Sequence, residues 1–333
     1  MRLPRPRGPI SAGVIHALRS GQPVDSPSDR GLRDAVARMP QPLTDPDGQL
    51  ALAVCYQLHY TSFEGVADTW EWDPGLLAVR ASLEARFIDA VRERVGAPQF
   101  LPAERADEAL RRLIDADDSP SMSSFLFKHA TADHYRAFVA QRSIYQLMEA
   151  DPHTWAIPRI TGQAKASLVE IQADEYGGGN VARMHCALYA DLMRGLGLDP
   201  AYGAYWDTAT AESFAALNLI SYFGLHRARR GALLGHLAAF EMTSTAPCRR
   251  MANGLRRLGF DDKVCGYYDE HVVADALHEQ LAAVDMCGSF VAAEPDCADD
   301  VLFGAAACLA LEGAVGARLL REWDSGAAGA DAA

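Results

Sequence analysis

No run of eighteen apolar residues occurs in the 333 residues of this chain, so no membrane-spanning helix is expected. Cysteine is sparse and unpatterned. Cys55, Cys186, Cys248, Cys265, Cys287, Cys297 and Cys308 stand at irregular spacings with no Cys-x-x-Cys. That argues against a zinc knuckle or a disulfide framework and for reduced, packed thiols. Basic charge is in deficit: 31 Lys and Arg stand against 44 Asp and Glu, a formal charge of -13. Phosphate contacts need clustered lysine and arginine, so no nucleic-acid partner is expected. The basic N-terminus lacks the apolar core of a secretory signal, and a cytoplasmic location is expected. There is no alternating strand pattern of useful length and no internal repeat. Walker A, Gly-x-Gly-x-x-Gly, Gly-x-Ser-x-Gly and His-Glu-x-x-His motifs are all missing.

What is there is helical periodicity. Apolar residues recur at three and four from Gly48 onward, through "DGQLALAVCYQLHY", "PGLLAVRASLEARFIDAVRERVG" and "RGALLGHLAAFEMTSTAPCRRMANGLRRLG". An all-α fold follows. Residues 1–45 are rich in Pro, Arg, Gly, Ser and Asp and read as a flexible arm with one weak helix near Ala12–Ser20. Residues 46–324 read as a single helical domain with its chemistry between about 140 and 290. Residues 325–333 read as a frayed tail.

Three signals carry chemistry. In "HVVADALH", His271, Asp275 and His278 are spaced by four and three, which puts all three on one helix face. Two imidazoles and a carboxylate without thiolate suit iron, manganese or zinc; an exposed polar stripe is the other reading. The segment Val169–Gly197 reads as one helix interrupted by Gly177, Gly178 and Gly179, between Glu175 and His185. Ten residues of ideal helix leave those two about 80° apart around the axis. The glycines permit a distortion that lets both face one site, or they are simply tolerated. Glu241 is the acidic residue in an apolar, small-residue helical turn, and a buried carboxylate needs a partner or a metal. His236 and Glu212 are weaker candidates, read as an ordinary helix histidine and a helix-start residue. The chain has no Glu-x-x-His, so the ferritin-like di-iron pattern is absent.

Glu175 with His185, Glu241, and then His271, Asp275 and His278 together resemble the haem-oxygenase-like di-iron oxidases and oxygenases. The likeness covers about Gly48 to Trp323. It implies a haem-oxygenase-like helical bundle, here with additional N-terminal helices, and two Fe(II) ions on those six residues. It also implies O2 as co-substrate through a peroxo-di-iron(III) species, and a homodimer. N-oxygenating members carry a further upstream glutamate, and Glu149 stands at the matching place. Two Fe(II) carry +4; Glu175, Glu241, Asp275 and Glu149 would balance it. The expected activity is oxidation of a free amino acid or related amine in natural-product biosynthesis, inclined toward oxygen transfer to nitrogen. Desaturation, cyclisation or fragmentation of an aliphatic amino acid or fatty acid is the alternative within the family. A non-catalytic haem or metal-binding helical protein is the alternative outside it. A substrate carboxylate would need a cationic clamp, for which Arg142, Arg159, Lys165 and Arg183 are the candidates.

Overall fold

Aspartate–proline pairs start two of the long helices. Asp45 and Asp73 accept backbone N–H bonds from Asp47 and Gly48, and from Leu76, while Pro46 and Pro74 occupy the first turn, where no N–H is needed. The computed structural model describes residues 1–22 and 29–330, and the side chains of these except residues 29–30, 275–276 and 326–330. The helices are α1 (Pro9–Ser20), α2 (Asp29–Arg38), α3 (Pro46–Gln57), α4 (Pro74–Val95), α5 (Ala106–Asp115), α6 (Met122–Lys128), α7 (Ala132–Gln146), α8 (Asp151–Thr154), α9 (Gly162–Glu175), α10 (His185–Gly195), α11 (Ala211–Leu225), α12 (Arg230–Arg257), α13 (Asp262–Gln280), α14 (Ser289–Ala293) and α15 (Ala298–Ala330). A π-helical stretch, Leu281–Gly288, joins α13 to α14. No strand occurs among the described residues, as the all-α expectation requires.

The N-terminal segment departs from the expected loose arm. Ile10, Val14, Ile15 and Leu18 form one apolar face of α1 and are buried. The Asp47 carboxylate ties the start of α1 to α3, accepting from Ile10 N (2.8 Å), Ser11 N (2.7 Å) and the Ser11 hydroxyl (2.5 Å). Composition suggested disorder, but the four-residue periodicity within it decided the outcome. Residues 23–28 of that arm lie outside the described residues. At the other end, α15 continues to Ala330 through most of the expected tail; residues 331–333 lie outside the described set.

α12 is the axis, packed along both α13 and α15. An apolar cluster around α3, α4, α11, α15 and the first half of α12 lies on one side. A smaller one, from α6, α7, α10, α13 and the second half of α12, lies on the other. One helical stretch, Pro295–Ser325, is apolar and long enough to cross a membrane by composition, with mean hydropathy 1.5. Just over half of that window, 56 %, is buried in the bundle, as in a core helix. No cysteine pair forms a disulfide among the described residues.

Backbone meets backbone where α12 crosses α15. A Cβ at Gly304 would lie 1.9 Å from the Ala232 carbonyl oxygen, and one at Gly235 would lie 1.8 Å from that of Val301. Neither neighbour is a flexible side-chain end, so the helices must separate to admit a methyl group. Gly266, in α13, has open space around its Cβ position. Gly304→Ala is therefore expected to cost about 3 kcal/mol through overpacking. Gly266→Ala is expected to stabilise by up to about 1 kcal/mol through helix propensity. Denaturant unfolding of the two variants checks the contrast; equal effects would contradict the close crossing.

Candidate metal centre

The glycine triplet does more than distort a helix. Gly177, Gly178 and Gly179 have φ of 64°, 61° and 81°, all left-handed, a region that side chains with a Cβ rarely adopt. The expected continuous helix over 169–197 is therefore two helices joined by 3₁₀ turns. α9 ends on Glu175 and α10 begins with His185. The break brings His185 Nδ1 to 2.9 Å from Glu175 Oε2. Gly177 is further constrained because a Cβ there would meet the backbone of Arg183 and Met184 at 2.6 Å.

Other elements deliver the remaining groups. Glu149 sits between α7 and α8, Glu241 on α12, His271 and His278 on α13, and all four side chains are buried. Ligand atoms of Glu149, Glu175, His185 and His271 lie within 4.8 Å of one another, and so do those of Glu175, Glu241 and His278. Glu175 belongs to both groups. Thus six of the seven residues singled out in the sequence are brought together, Glu149 among them. Asp275 lies on α13 between the two histidines, but its side chain is outside the described residues. His236 joins neither group; it is buried with its Nδ1 3.3 Å from His153 Nε2. Glu212 lies in the first turn of α11, also away from the cluster.

The imidazoles are held from outside. His271 Nδ1 is 2.8 Å from the Tyr267 carbonyl oxygen, which fixes the proton on that nitrogen and leaves Nε2 toward Glu149 Oε1 at 3.8 Å. His278 Nε2 is 3.0 Å from Asp174 Oδ2, leaving Nδ1 at 3.3 Å from Glu241 Oε2. The Tyr267 hydroxyl donates to Glu149 Oε2 (2.9 Å) and accepts from Gln146 Nε2 (2.9 Å). Sequence reasoning missed Asp174, Tyr267 and Gln146. Only the adjacency of Asp174 to Glu175, and the i, i+4 spacing of Tyr267 and His271, hinted at two of them.

Electrostatics ask for a cation. Burial disfavours the protonated form of His278, but Glu241, Asp174 and Glu175 outweigh it and hold the imidazole at about 9. Burial likewise opposes the charged form of Glu149, and His271, His185 and the Tyr267 hydroxyl bring its pKa below the ordinary value. Burial also works against His185 protonation, but the neighbouring Glu175 raises its pKa. Yet His185 Nδ1 and His278 Nδ1, each near a carboxylate oxygen, lack the alignment of a hydrogen bond. Close approach without that alignment is the relation of two donors around one cation. The dipole of α9 agrees, since a cation bound by Glu175 would lie at the negative C-terminal end of that helix. Oxygen and nitrogen donors without thiolate fit iron.

Four of these residues, Glu149, Glu175, Glu241 and His271, line a cavity of about 400 Å³, within the range of small-molecule sites. Of the four clamp candidates, Arg142 alone is on its wall. Arg159 is spent on the carbonyls of Gly224 and Leu225, and Arg183 reaches out to Glu270 at 3.9 Å.

Two outcomes are expected. Asp174 is 61 % exposed, so Asp174→Ala should leave folding intact while weakening iron binding about 10–100-fold through loss of His278 orientation; chelator competition measures it. Gly177→Ala should lower bound iron more than Gly178→Ala, since both strain the backbone but only the first also collides with α10's approach. Equal iron contents in the two variants would sink that assignment.

The comparisons with known proteins fall on the same elements. A family model described as an iron-containing redox enzyme matches residues 136–313. A nitrosourea synthase from Streptomyces achromogenes subsp. streptozoticus is 26 % identical over 184 residues, 54 % of this chain and 38 % of that protein. The match thus spans well under half of that relative's length. With more than half of its length matched by the family model, and with a buried Glu/His cluster within the match, the chain belongs to the haem-oxygenase-like family of iron-containing redox enzymes and is an oxidoreductase.

Proposed function

We propose that the cluster holds two Fe(II) ions with Glu175 between them, and that the protein is an O2-dependent oxidase or oxygenase of a free amino acid or related amine, in secondary metabolism. One observation carries the reading: two ligand groups, each large enough for one ion, share Glu175. Glu149, Glu175, His185 and His271 would hold one ion; Glu241, His278 and Glu175 would hold the other, with Asp275 as a further candidate. When bound, the ferrous pair supplies the site for O2 and the two electrons that balance R2NH + O2 + 2 e⁻ + 2 H⁺ giving R2NOH + H2O.

The chain's own residues have distinct tasks. Asp174 and the Tyr267 carbonyl aim the two α13 imidazoles. The Tyr267 hydroxyl holds a proton against Glu149 Oε2 and fixes that carboxylate beside the cavity. Burial of the cluster keeps bulk water from the reacting groups. Glu149 supports oxygen transfer to nitrogen, because it stands where N-oxygenating members of the family carry a further glutamate and lies within ligand reach of Glu175, His185 and His271. The similarity to a nitrosourea synthase supports it too, since a nitrosourea carries oxidised nitrogen.

Iron analysis tests the reading. Wild type loaded anaerobically should hold two irons per chain. Glu175→Ala should lose both, whereas Glu149→Ala and Glu241→Ala should each retain one. One iron in the wild type, or failure to consume O2 with every amino acid or amine of a broad panel, would defeat the proposal. Incorporation of ¹⁸O from ¹⁸O2 into the product, read by mass spectrometry, identifies the oxygenated atom.

A further inference from the structure

We propose that Tyr176, with Asp151, Thr154 and Gln172, positions Glu149 for the metal cluster. A run of hydrogen bonds fixes the turn that carries Glu149 to the end of the helix that carries Glu175. This role rests on the two-ion reading above and deepens it, by naming the groups that keep one ion's additional carboxylate in reach.

Among the buried donors, Glu149 has the weakest backbone support. Glu175 closes α9, His185 opens α10, and Glu241, His271 and His278 lie within α12 and α13. Glu149 stands instead in the turn over 147–150, outside any helix. The helix that follows, α8, has only four residues, and a single turn of helix has little stability of its own. Yet a carboxylate oxygen of Glu149 lies within ligand reach of Glu175, His185 and His271. Groups outside the turn must hold it there.

The end of α9 provides them. Gln172 and Tyr176 are four residues apart and share a helix face at that end. Gln172 Nε2 donates to the Ala150 carbonyl oxygen (3.1 Å) and to Thr154 Oγ1 (2.9 Å). The Tyr176 hydroxyl donates to Asp151 Oδ1 (2.7 Å) and lies 3.0 Å from Thr154 Oγ1. A phenol has one proton, and Asp151 takes it, so Thr154 donates to the Tyr176 oxygen while accepting from Gln172. The bonds thus run in one direction, from Gln172 through Thr154 and Tyr176 to Asp151. A run in which each hydroxyl both donates and accepts fixes position, whereas apolar contact tolerates sliding. Its two ends are the neighbours of the two carboxylates: Ala150 and Asp151 directly follow Glu149, and Tyr176 directly follows Glu175. The Tyr267 hydroxyl orients the Glu149 carboxylate; the run from α9 fixes the backbone from which that side chain starts.

Titration of the full chain with Mn(II), with free Mn(II) read by electron paramagnetic resonance, tests this. Wild type should bind two ions. Tyr176→Phe and Asp151→Ala should each weaken one ion about 10–100-fold, as loss of an outer hydrogen-bond partner does, and leave the other within about twofold. Asp151→Asn keeps an acceptor oxygen and should restore nearly wild-type binding. In a Glu149→Ala background, Tyr176→Phe should have no further effect on the remaining ion, because the run acts through that carboxylate alone. Equal weakening of both ions, no weakening, failure of Asp151→Asn to rescue, or an undiminished effect in the Glu149→Ala background overturns the role. Circular dichroism checks folding; should Tyr176→Phe not fold, Thr154→Val removes the middle link and carries the same expectations. A wild type that takes one Mn(II) defeats the two-ion reading. The positioning role is then decided by whether Tyr176→Phe weakens that single ion with Glu149 present and not with it removed. Two ions that are both indifferent to the variants defeat the positioning role alone.

Discussion

Three carboxylates, Glu149, Glu175 and Glu241, are buried together at the middle of this bundle, and the rest of the site answers to that constraint. A buried carboxylate must be paired or lose its charge. Histidines can form ion pairs with these groups only while protonated, and burial opposes protonation of His185 and His278 even though the neighbouring carboxylates outweigh it. A divalent cation removes the conflict: it neutralises the oxygens and takes the nitrogen lone pairs at the same time. Iron in this family is thus a structural answer to the charge of the core as well as a reagent.

Holding such donors in place requires unusual backbone and outside support. A continuous helix would leave Glu175 and His185 facing different ways. Three left-handed glycines break the helix so that one helix ends on the carboxylate and the next begins on the imidazole. The α13 imidazoles are aimed by groups that are not themselves donors to the cluster: a carbonyl one turn back and the exposed carboxylate of Asp174. α12 carries Glu241 while clamped to α15 through glycine-to-backbone contacts on one side and to α13 on the other. Its Pro247 lies on the cavity wall and cannot donate a helical bond to the Thr243 carbonyl, so α12, though continuous, lacks one ladder bond beside that cavity.

Much of this was legible before the fold was known. Helical period located α3, α4, α12 and α13, and residue type at helical spacing located His271 and His278. Glu241 stood out as an acid in an apolar turn. Two readings failed for physical reasons. A Pro- and Arg-rich composition masked the apolar face of Ile10, Val14, Ile15 and Leu18, because composition averages over the periodicity that buries one side of a helix. The glycine triplet was read as a distortion within a helix because propensity measures the penalty of each glycine, not the sign of φ that a turn will select.

What the sequence by itself determined is therefore local: where the chain is helical, which residues can be iron ligands, and which of them share a helix face. Those properties depend on neighbours within a few residues. What only the tertiary structure decided is which distant groups meet. Asp174 reaches His278 across 104 residues, and Arg142 reaches Glu312 across 170. No period or motif encodes such pairs. They arise because α12 brings α13 and α15 to its two sides, and that packing is a property of the whole buried surface.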